Sequence, residues 1–95
     1  MISKDDIIEV LQTIIDPEVA MDIWTLGLVY EIDIQSATTV HIVITYTSPM
    51  CPAGPAIQDS IRDEMLNIGF EHVTIEVTFD PPWTMPEALK TMMGL

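Results

Sequence analysis

The sequence predicts a two-layer α+β sandwich, in which two helices cover one face of a three-stranded sheet. Two segments repeat apolar residues with the period of a helix, and three others alternate apolar and polar residues with the period of a strand. Each predicted strand has a single apolar face, so both helices are expected on the same side of the sheet. The predicted order is α-β-β-α-β with a short C-terminal helix, in one domain spanning residues 1–95.

The first helix is predicted from about Lys4 to Thr13. Ser3 followed by Asp6 is similar to a capping box, and apolar residues then recur at helical spacing. Pro17 ends this helix, because a proline pushes the residue before it out of helical geometry. A loop then leads into the first strand and is long enough to fold over the edge of the sheet.

Two strands follow, joined by a short turn at Ser36-Ala37. The first begins at Leu28, where the period changes to two, and its last residue is Gln35. The second runs from Thr38 to Thr47, and its many β-branched residues support the assignment. The predicted inward residues are Leu28, Tyr30, Ile32 and Ile34 in the first strand, and Val40, Ile42, Ile44 and Tyr46 in the second. The outward ones include Val29, Glu31, Asp33, His41, Val43, Thr45 and Thr47.

The second helix is predicted after Pro52 and ends at Gly69, a natural stop after a helical apolar stripe. That stripe consists of Ile57, Ile61, Met65 and Ile68. The third strand is predicted from about His72 to Phe79. A right-handed crossover through the helix sets this strand parallel to the second one. Its neighbour in the sheet stays open from sequence, and we favour the order 2-1-3, which is antiparallel throughout.

The C-terminal part of the chain begins with a break in the strand pattern. Asp80-Pro81-Pro82-Trp83 interrupts the ladder because proline donates no hydrogen bond. Trp83 either seals the edge of the core or anchors a partner, and we favour sealing. Pro86 to Met93 is predicted to form one or two helical turns.

The charge of the chain excludes several functions. Its formal charge is −12, with fifteen acidic residues against Lys4, Arg62 and Lys90. Nucleic acids and anionic membrane surfaces require clustered Lys and Arg, so neither is an expected partner. No stretch approaches the roughly 20 apolar residues of a membrane span, and the start of the chain lacks the apolar region of a signal peptide. A single cysteine agrees with a reducing compartment, so a cytoplasmic location is expected.

That cysteine, Cys51, is the strongest candidate functional residue. It lies in the run Thr47-Ser48-Pro49-Met50-Cys51-Pro52, where a predicted strand stops and a predicted helix begins. The unpaired N–H groups and positive dipole end of a helix N-terminus stabilise a thiolate. Thr47 is expected beside Cys51, and Asp16 and Glu18 are candidates to join them in one cleft. The alternatives are a buried apolar role for Cys51 and a helix-ending turn role for Asp16.

The chemistry open to this cysteine is limited by the residues around it. A structural metal site takes about four protein ligands, so no stably bound cofactor is expected. Cys51 allows only a shared ligand, to a transient iron–sulfur cluster or a metal ion bridged between two chains. His41 and His72 are expected at exposed strand positions rather than near Cys51, and a Cys-His hydrolase is therefore disfavoured.

Five motifs in order give the chain a resemblance to the SufT-like iron–sulfur cluster assembly domain. They are Asp16-Pro17-Glu18, Asp22-Ile23, Leu26-Gly27-Leu28-Val29-Tyr30, the run from Thr47 to Pro52, and Asp80-Pro81-Pro82-Trp83-Thr84. The family includes subunits of the eukaryotic cytosolic iron–sulfur targeting complex and PaaD-like proteins. The cysteine-rich C-terminal region of PaaD-like members is missing from these 95 residues, so their specialised role is not expected.

The resemblance implies an accessory factor that assists cluster assembly or delivery through Cys51. It also implies that Asp16, Glu18 and Thr47 lie near that cysteine, and that the partners are the iron–sulfur assembly machinery or client apoproteins. One alternative is a cysteine-dependent enzyme that uses Asp16 or Glu18 as acid or base. Another is a structural adaptor without thiol chemistry. Exposed strand edges leave a homodimer open.

Overall fold

The computed structural model describes residues 2–50 and 52–94, with the backbone alone described for Met93. Cys51 therefore lies outside the described residues. The fold class is confirmed, since the described chain has three helices, a three-stranded sheet and one short two-stranded sheet. The elements are α1 (Lys4–Leu11), β1 (Ile15–Asp16), β2 (Met21–Asp22), β3 (Val29–Ile34), β4 (Thr39–Ile44), α2 (Gly54–Ile68), β5 (His72–Val77) and α3 (Glu87–Met93).

Helix α1 begins with the capping box that the sequence predicts. The Ser3 hydroxyl accepts a hydrogen bond from the Asp6 N–H at 3.2 Å, and the Asp6 carboxylate accepts one from the Ser3 N–H at 2.9 Å. Both bonds satisfy donors that a helix start leaves unpaired. The helix ends at Leu11, two residues before the predicted end at Thr13, and its buried residues are Ile7 and Leu11.

The capping box makes the stability of α1 depend on pH. The hydrogen bonds from the Ser3 backbone and hydroxyl lower the pKa of Asp6 from its ordinary value of 3.8. A lowered pKa contributes stability above the ordinary value, and this contribution disappears as the pH falls through the lowered pKa. We expect wild type to exceed Asp6→Asn in free energy of unfolding at neutral pH, with the difference shrinking below pH 3.8. Denaturant titrations over a pH series measure it.

Ser3→Ala is the matched control for this prediction. It removes the hydroxyl that contributes to the lowered pKa, so Asp6→Asn should have a smaller pH-dependent effect in that background. The role assigned to the Asp6 charge would be contradicted if wild type and Asp6→Asn differed in free energy of unfolding by the same amount at neutral and at acid pH.

The order of the main sheet is β3-β4-β5, so the predicted order 2-1-3 is wrong. Strand β4 pairs antiparallel with β3 and parallel with β5. The chain leaving α2 is tied directly to β4, because the N–H groups of Glu71 and His72 both donate to the Thr38 carbonyl at 2.8 and 2.9 Å. Strand β4 is therefore central. This position explains why Val43, predicted to point outward, is also buried. Thr45, one residue past the end of β4, was likewise predicted to point outward and is buried.

Strand β3 contains an irregularity that changes which residues face the core. Its register with β4 shifts between Val29 and Glu31, as in a β-bulge. Val29 packs against the core, whereas Tyr30 lines a cavity on the opposite face with Glu31 and Val43. The Tyr30 hydroxyl donates to the Pro81 carbonyl at 2.8 Å. The predicted inward position of Tyr30 is therefore wrong, because strict alternation does not survive a bulge.

The hydrophobic core lies between the sheet and the two longer helices. Helix α2 ends with Gly69 as its C-cap, as predicted, and Pro55 lies in its first turn. No helix within the described residues is long and apolar enough to cross a membrane. The fully buried large apolar side chains are Ile7, Leu11, Ile23, Leu26, Leu28, Val40, Ile42, Ile44, Ile61 and Met65.

The C-terminal segment closes one edge of this core. Trp83 is half-buried and packs against the core, and its Nε1–H donates to the Leu26 carbonyl at 2.7 Å. Leu89 of α3 is also buried. Strand β5 ends at Val77, two residues before the predicted end at Phe79. Phe79 is 45% exposed and contacts the edge of the Tyr46 ring, with ring centroids 6.1 Å apart.

Replacement of Trp83 by alanine is expected to lower the free energy of unfolding by about 3 kcal/mol, since it removes both the packed ring and the bond to Leu26. Trp83→Phe keeps most of the ring and should cost only about 1 kcal/mol for the lost hydrogen bond. Urea denaturation of the two variants measures both values. If Trp83→Ala is as stable as wild type, the indole does not seal the core and the partner-anchor alternative gains.

Candidate functional site

Asp16 organises a tight turn between the two short strands. Strands β1 and β2 pair antiparallel, and the Asp16 carbonyl accepts hydrogen bonds from the N–H groups of Val19 at 3.3 Å and Ala20 at 2.7 Å. The carboxylate Oδ1 also accepts from the Glu18 N–H at 2.9 Å. Ala20 takes the left-handed conformation, with φ of 62°. Asp16 therefore shapes a turn, but this is the turn of a β-hairpin rather than the helix-ending turn considered from sequence, because α1 already ends at Leu11.

The burial of Asp16 goes beyond what a turn requires. Its side chain has 0% exposure, and Oδ2 has no hydrogen-bond partner among the described residues. The Thr45 hydroxyl is likewise buried and unpartnered within residues 2–50 and 52–94. Buried polar atoms without partners cost free energy and are rare in folded proteins. Asp16 Oδ2 and the Thr45 hydroxyl are therefore each candidates to exchange a hydrogen bond or a proton with another group.

A series of backbone hydrogen bonds ties the Asp16 hairpin to the end of β4. The Thr45 N–H donates to the Leu28 carbonyl at 2.8 Å, and the Leu28 N–H donates to the Ile23 carbonyl at 3.0 Å. The Ile23 N–H then donates to the Ile14 carbonyl at 2.9 Å, two residues before Asp16. The hairpin and the segment that leads from β4 towards Cys51 therefore belong to one hydrogen-bonded unit.

The other predicted site residues differ in their surroundings. Thr47 is half-buried and follows the end of β4 by three residues. Glu18 is exposed, and its backbone is held by Asp16. In the next part of the motif the Ser48 hydroxyl accepts from the Met50 N–H at 3.2 Å. The structure thus joins Asp16 and Glu18 in one turn, whereas the predicted environment of Cys51 lies outside the described residues.

A close contact fixes how the end of the strand meets the start of α2. A methyl group at Gly54 would lie 2.7 Å from the Tyr46 ring, so the ring rests directly on the helix backbone. Gln58, one turn further along, donates its side-chain N–H to the Tyr46 hydroxyl. These contacts hold the two ends of the segment that carries Cys51. Sequence reasoning missed this contact, because a lone glycine near a helix start does not reveal which ring packs on it.

Gly54→Ala is expected to destabilise the protein by about 1–3 kcal/mol through overpacking against Tyr46. Alanine normally stabilises a helix by about 1 kcal/mol relative to glycine, so the sign of the effect reports the contact. In a Tyr46→Leu background the same substitution should become neutral or stabilising. Thermal and urea unfolding of wild type, the two single variants and the double variant completes this double-mutant cycle. A stabilising Gly54→Ala in the wild-type background would show that the ring does not press on the helix.

The two histidines lie on β4 and β5, and the prediction that neither is near Cys51 falls outside the described residues. The His41 Nδ1 is 2.6 Å from the Thr74 hydroxyl, and its Nε2 is 3.6 Å from the Glu76 carboxylate. His72 is exposed at the start of β5. Within the part of the chain that the structure describes, no group of three or more metal-ligating side chains could hold a metal ion.

Comparison with known proteins identifies the family. Residues 4–78 match the model of the iron–sulfur cluster assembly protein family. The chain is 34% identical to the Fe-S protein maturation auxiliary factor YitW of Bacillus subtilis over 96 residues, covering 97% of this chain and 94% of that protein. It is 35% identical over 72 residues to the Fe-S protein maturation auxiliary factor SufT of Staphylococcus aureus, covering 75% of this chain and 82% of that protein.

A solved structure agrees with these relatives. A conserved hypothetical protein from Thermotoga maritima superposes with a TM-score of 0.83 at 37% identity, covering 99% of this chain and 96% of that chain. The matched region contains the Asp16 turn, the β4 end and the start of α2. The resemblance inferred from the five motifs is confirmed, and the chain belongs to the iron–sulfur cluster assembly protein family.

Proposed function

We propose that this protein is an accessory factor in iron–sulfur protein maturation, which acts through the Cys51 thiol and protein contacts rather than by catalytic turnover. The observation that carries the proposal is the match to Fe-S protein maturation auxiliary factors over nearly the full length of both chains. A match of this extent leaves few residues of the relative without a counterpart. An auxiliary role is therefore the function that the family membership supports best.

The buried carboxylate of Asp16 is the physical support for a site in this region. Its Oδ2 has no partner in the described chain, although burial of such an atom costs free energy. Sites that break a packing rule at a cost to stability are often functional. We infer that Asp16 faces a cationic or proton-donating group during function. In this proposal Glu18, from the same motif, and Thr47, from the motif that contains Cys51, contribute to the same site.

The small number of side chains that could bind iron suits transfer of a cluster better than its storage. Cys51 is the only cysteine of the chain, and one thiolate with two carboxylates falls short of the usual four-ligand structural metal site. The missing ligands would come from the donor or from the client apoprotein, so that iron passes through a site shared by two chains. The thiol proton is released to solvent when the sulfur binds iron.

The second candidate is a cysteine-dependent enzyme with Asp16 or Glu18 as acid or base. His41 is held by Thr74 and Glu76, so a carboxylate would have to replace the usual histidine base. Such an enzyme would turn over a substrate with no client protein present. An adaptor without thiol chemistry would instead keep its function when Cys51 is replaced, and this distinguishes it from the first proposal.

The proposal is tested in cells that lack this protein. We expect the activity of iron–sulfur enzymes to fall there, while enzymes without clusters keep their activity. A plasmid copy of the full chain should restore the lost activity. If iron–sulfur enzymes retain wild-type activity in the deletion strain under both low and high iron, the protein is not a maturation factor for them.

Anaerobic reconstitution addresses whether the protein itself retains a cluster. We expect the purified chain, treated with iron and sulfide and then desalted, to keep well below about one iron per chain, because too few ligands are present. Iron and sulfide analysis with visible spectroscopy measures this. A stable coloured cluster on the isolated chain would contradict delivery through a shared site.

A further inference from the structure

A groove lies between α1 and α2. One part has a volume of about 550 Å³ and is lined by Ile2, Asp6, Glu9, Val10, Thr13, Glu64 and Ile68. A second part of about 340 Å³ includes Ile15 and Asp63 and shares Thr13 and Glu64 with the first. The shared residues make the two parts one continuous groove, which we call the α1–α2 groove.

The floor of the α1–α2 groove is apolar. Ile2, Val10 and Ile68 are partly buried and pack against the core, yet each still lines the groove. Ile15 is 52% exposed at the far end and extends the apolar surface of the groove. Each wall of the groove is one stripe of residues that recur at near-helical spacing. The stripe on the α1 side consists of Asp6, Val10 and Thr13, and the stripe on α2 consists of Ser60, Glu64 and Ile68.

The charged side chains that line the groove within residues 2–50 and 52–94 are all acidic. They are Asp6, Glu9, Asp63 and Glu64. The ion pairs within residues 2–50 and 52–94 lie elsewhere, between His41 and Glu76 and between Lys90 and Glu87. Glu64 is only partly exposed and stands where the two parts meet. The groove therefore combines an apolar floor with a rim of carboxylates that form no ion pair with a Lys or Arg of the described chain.

We propose that the α1–α2 groove binds an amphipathic helix of a partner protein that carries Lys or Arg on both sides of an apolar stripe. Helices bind grooves of this kind through apolar anchors at i, i+3 or i+4 and i+7, and complementary charges at the rim steer and orient them. A second copy of this chain fits poorly, because two chains of charge −12 repel each other. The inference does not depend on the proposed role of Cys51.

The test uses a synthetic helical peptide of about 15 residues, near the shortest length at which an isolated helix is stable. It carries a leucine stripe flanked by lysines. A scrambled peptide of the same composition has no stripe, and a third peptide has glutamate in place of lysine. NMR titration of the full chain should place the shifts of the first peptide on α1 and α2. Equal binding of the scrambled peptide, or shifts centred on the open sheet face, would overturn the proposal.

Charge-reversal variants separate groove binding from general attraction to an acidic protein. Glu9→Lys with Glu64→Lys should weaken binding of the striped peptide by at least about tenfold. The matched pair Glu31→Lys with Asp33→Lys changes the net charge equally on exposed positions of β3, and should weaken it by less than about threefold. Circular dichroism and urea unfolding verify that both variants are folded. Equal weakening by the two pairs would overturn the proposal.

Discussion

Replacement of Cys51 by alanine is expected to lower the activity of iron–sulfur enzymes to the level of cells that lack this protein. The reason is that the chain has one cysteine, and no other side chain supplies a thiolate for iron. The variant should accumulate to the wild-type amount, because a Cys→Ala change removes a single sulfur atom. Enzyme activities in extracts, normalised to the amount of each client protein, measure the effect.

Two further variants control this experiment. Cys51→Ser keeps the size and polarity of the side chain but does not form an anionic ligand at neutral pH, so it should fail as alanine does. Met50→Ala changes the neighbouring residue, which is 86% exposed, and should leave maturation unchanged. Normal maturation with Cys51→Ala would favour the structural adaptor over thiol chemistry.

Asp16→Asn is expected to reduce maturation at least about tenfold while the protein stays folded. Asparagine keeps an oxygen to accept the Glu18 N–H bond that shapes the turn, but it removes the buried charge at Oδ2. Because that oxygen has no partner in the described chain, its replacement should change the free energy of unfolding by less than about 1 kcal/mol or increase it. The same cell assay and urea unfolding measure the two quantities.

Asp16→Ala separates the turn from the carboxylate. It removes the bond from Glu18 as well as the charge, so it should lower the free energy of unfolding by about 1 kcal/mol more than asparagine does. Asp33→Asn removes an exposed carboxylate on β3 and should keep full maturation. Wild-type maturation with Asp16→Asn would show that the buried carboxylate serves only the turn.

The regular parts of the fold follow from periodicity in the sequence. The capping box at Ser3 and Asp6, the stripe on α2 and the stop at Gly69 are local signals, and the structure contains all three. The order of the sheet is not local, because a right-handed crossover permits β5 to pair on either side. Five of the six residues of β4 are β-branched, which agrees with its central position, yet this composition was not decisive alone. The bulge at Tyr30 is also invisible to a period-two pattern.

The candidate site was predictable to the extent that motifs lie near one another in the chain. Asp16 and Glu18 share a turn, and the sequence indicates this because Asp before Pro favours turns. The burial of Asp16 and Thr45 was not predictable, since it depends on tertiary packing that no local pattern encodes. The contact of Tyr46 with Gly54 similarly depends on how the strand and the helix meet in space.

The alkylation rate of Cys51 tests most directly whether the Asp16 turn and the cysteine form one site. Iodoacetamide labelling followed by mass spectrometry reports on Cys51 alone, because the chain has no other cysteine. A neighbouring carboxylate disfavours the reactive thiolate. We therefore predict that Asp16→Asn accelerates labelling at neutral pH by at least about threefold, equivalent to about half a pH unit, while Asp63→Asn leaves it unchanged. Identical rates in all three proteins would contradict a shared site.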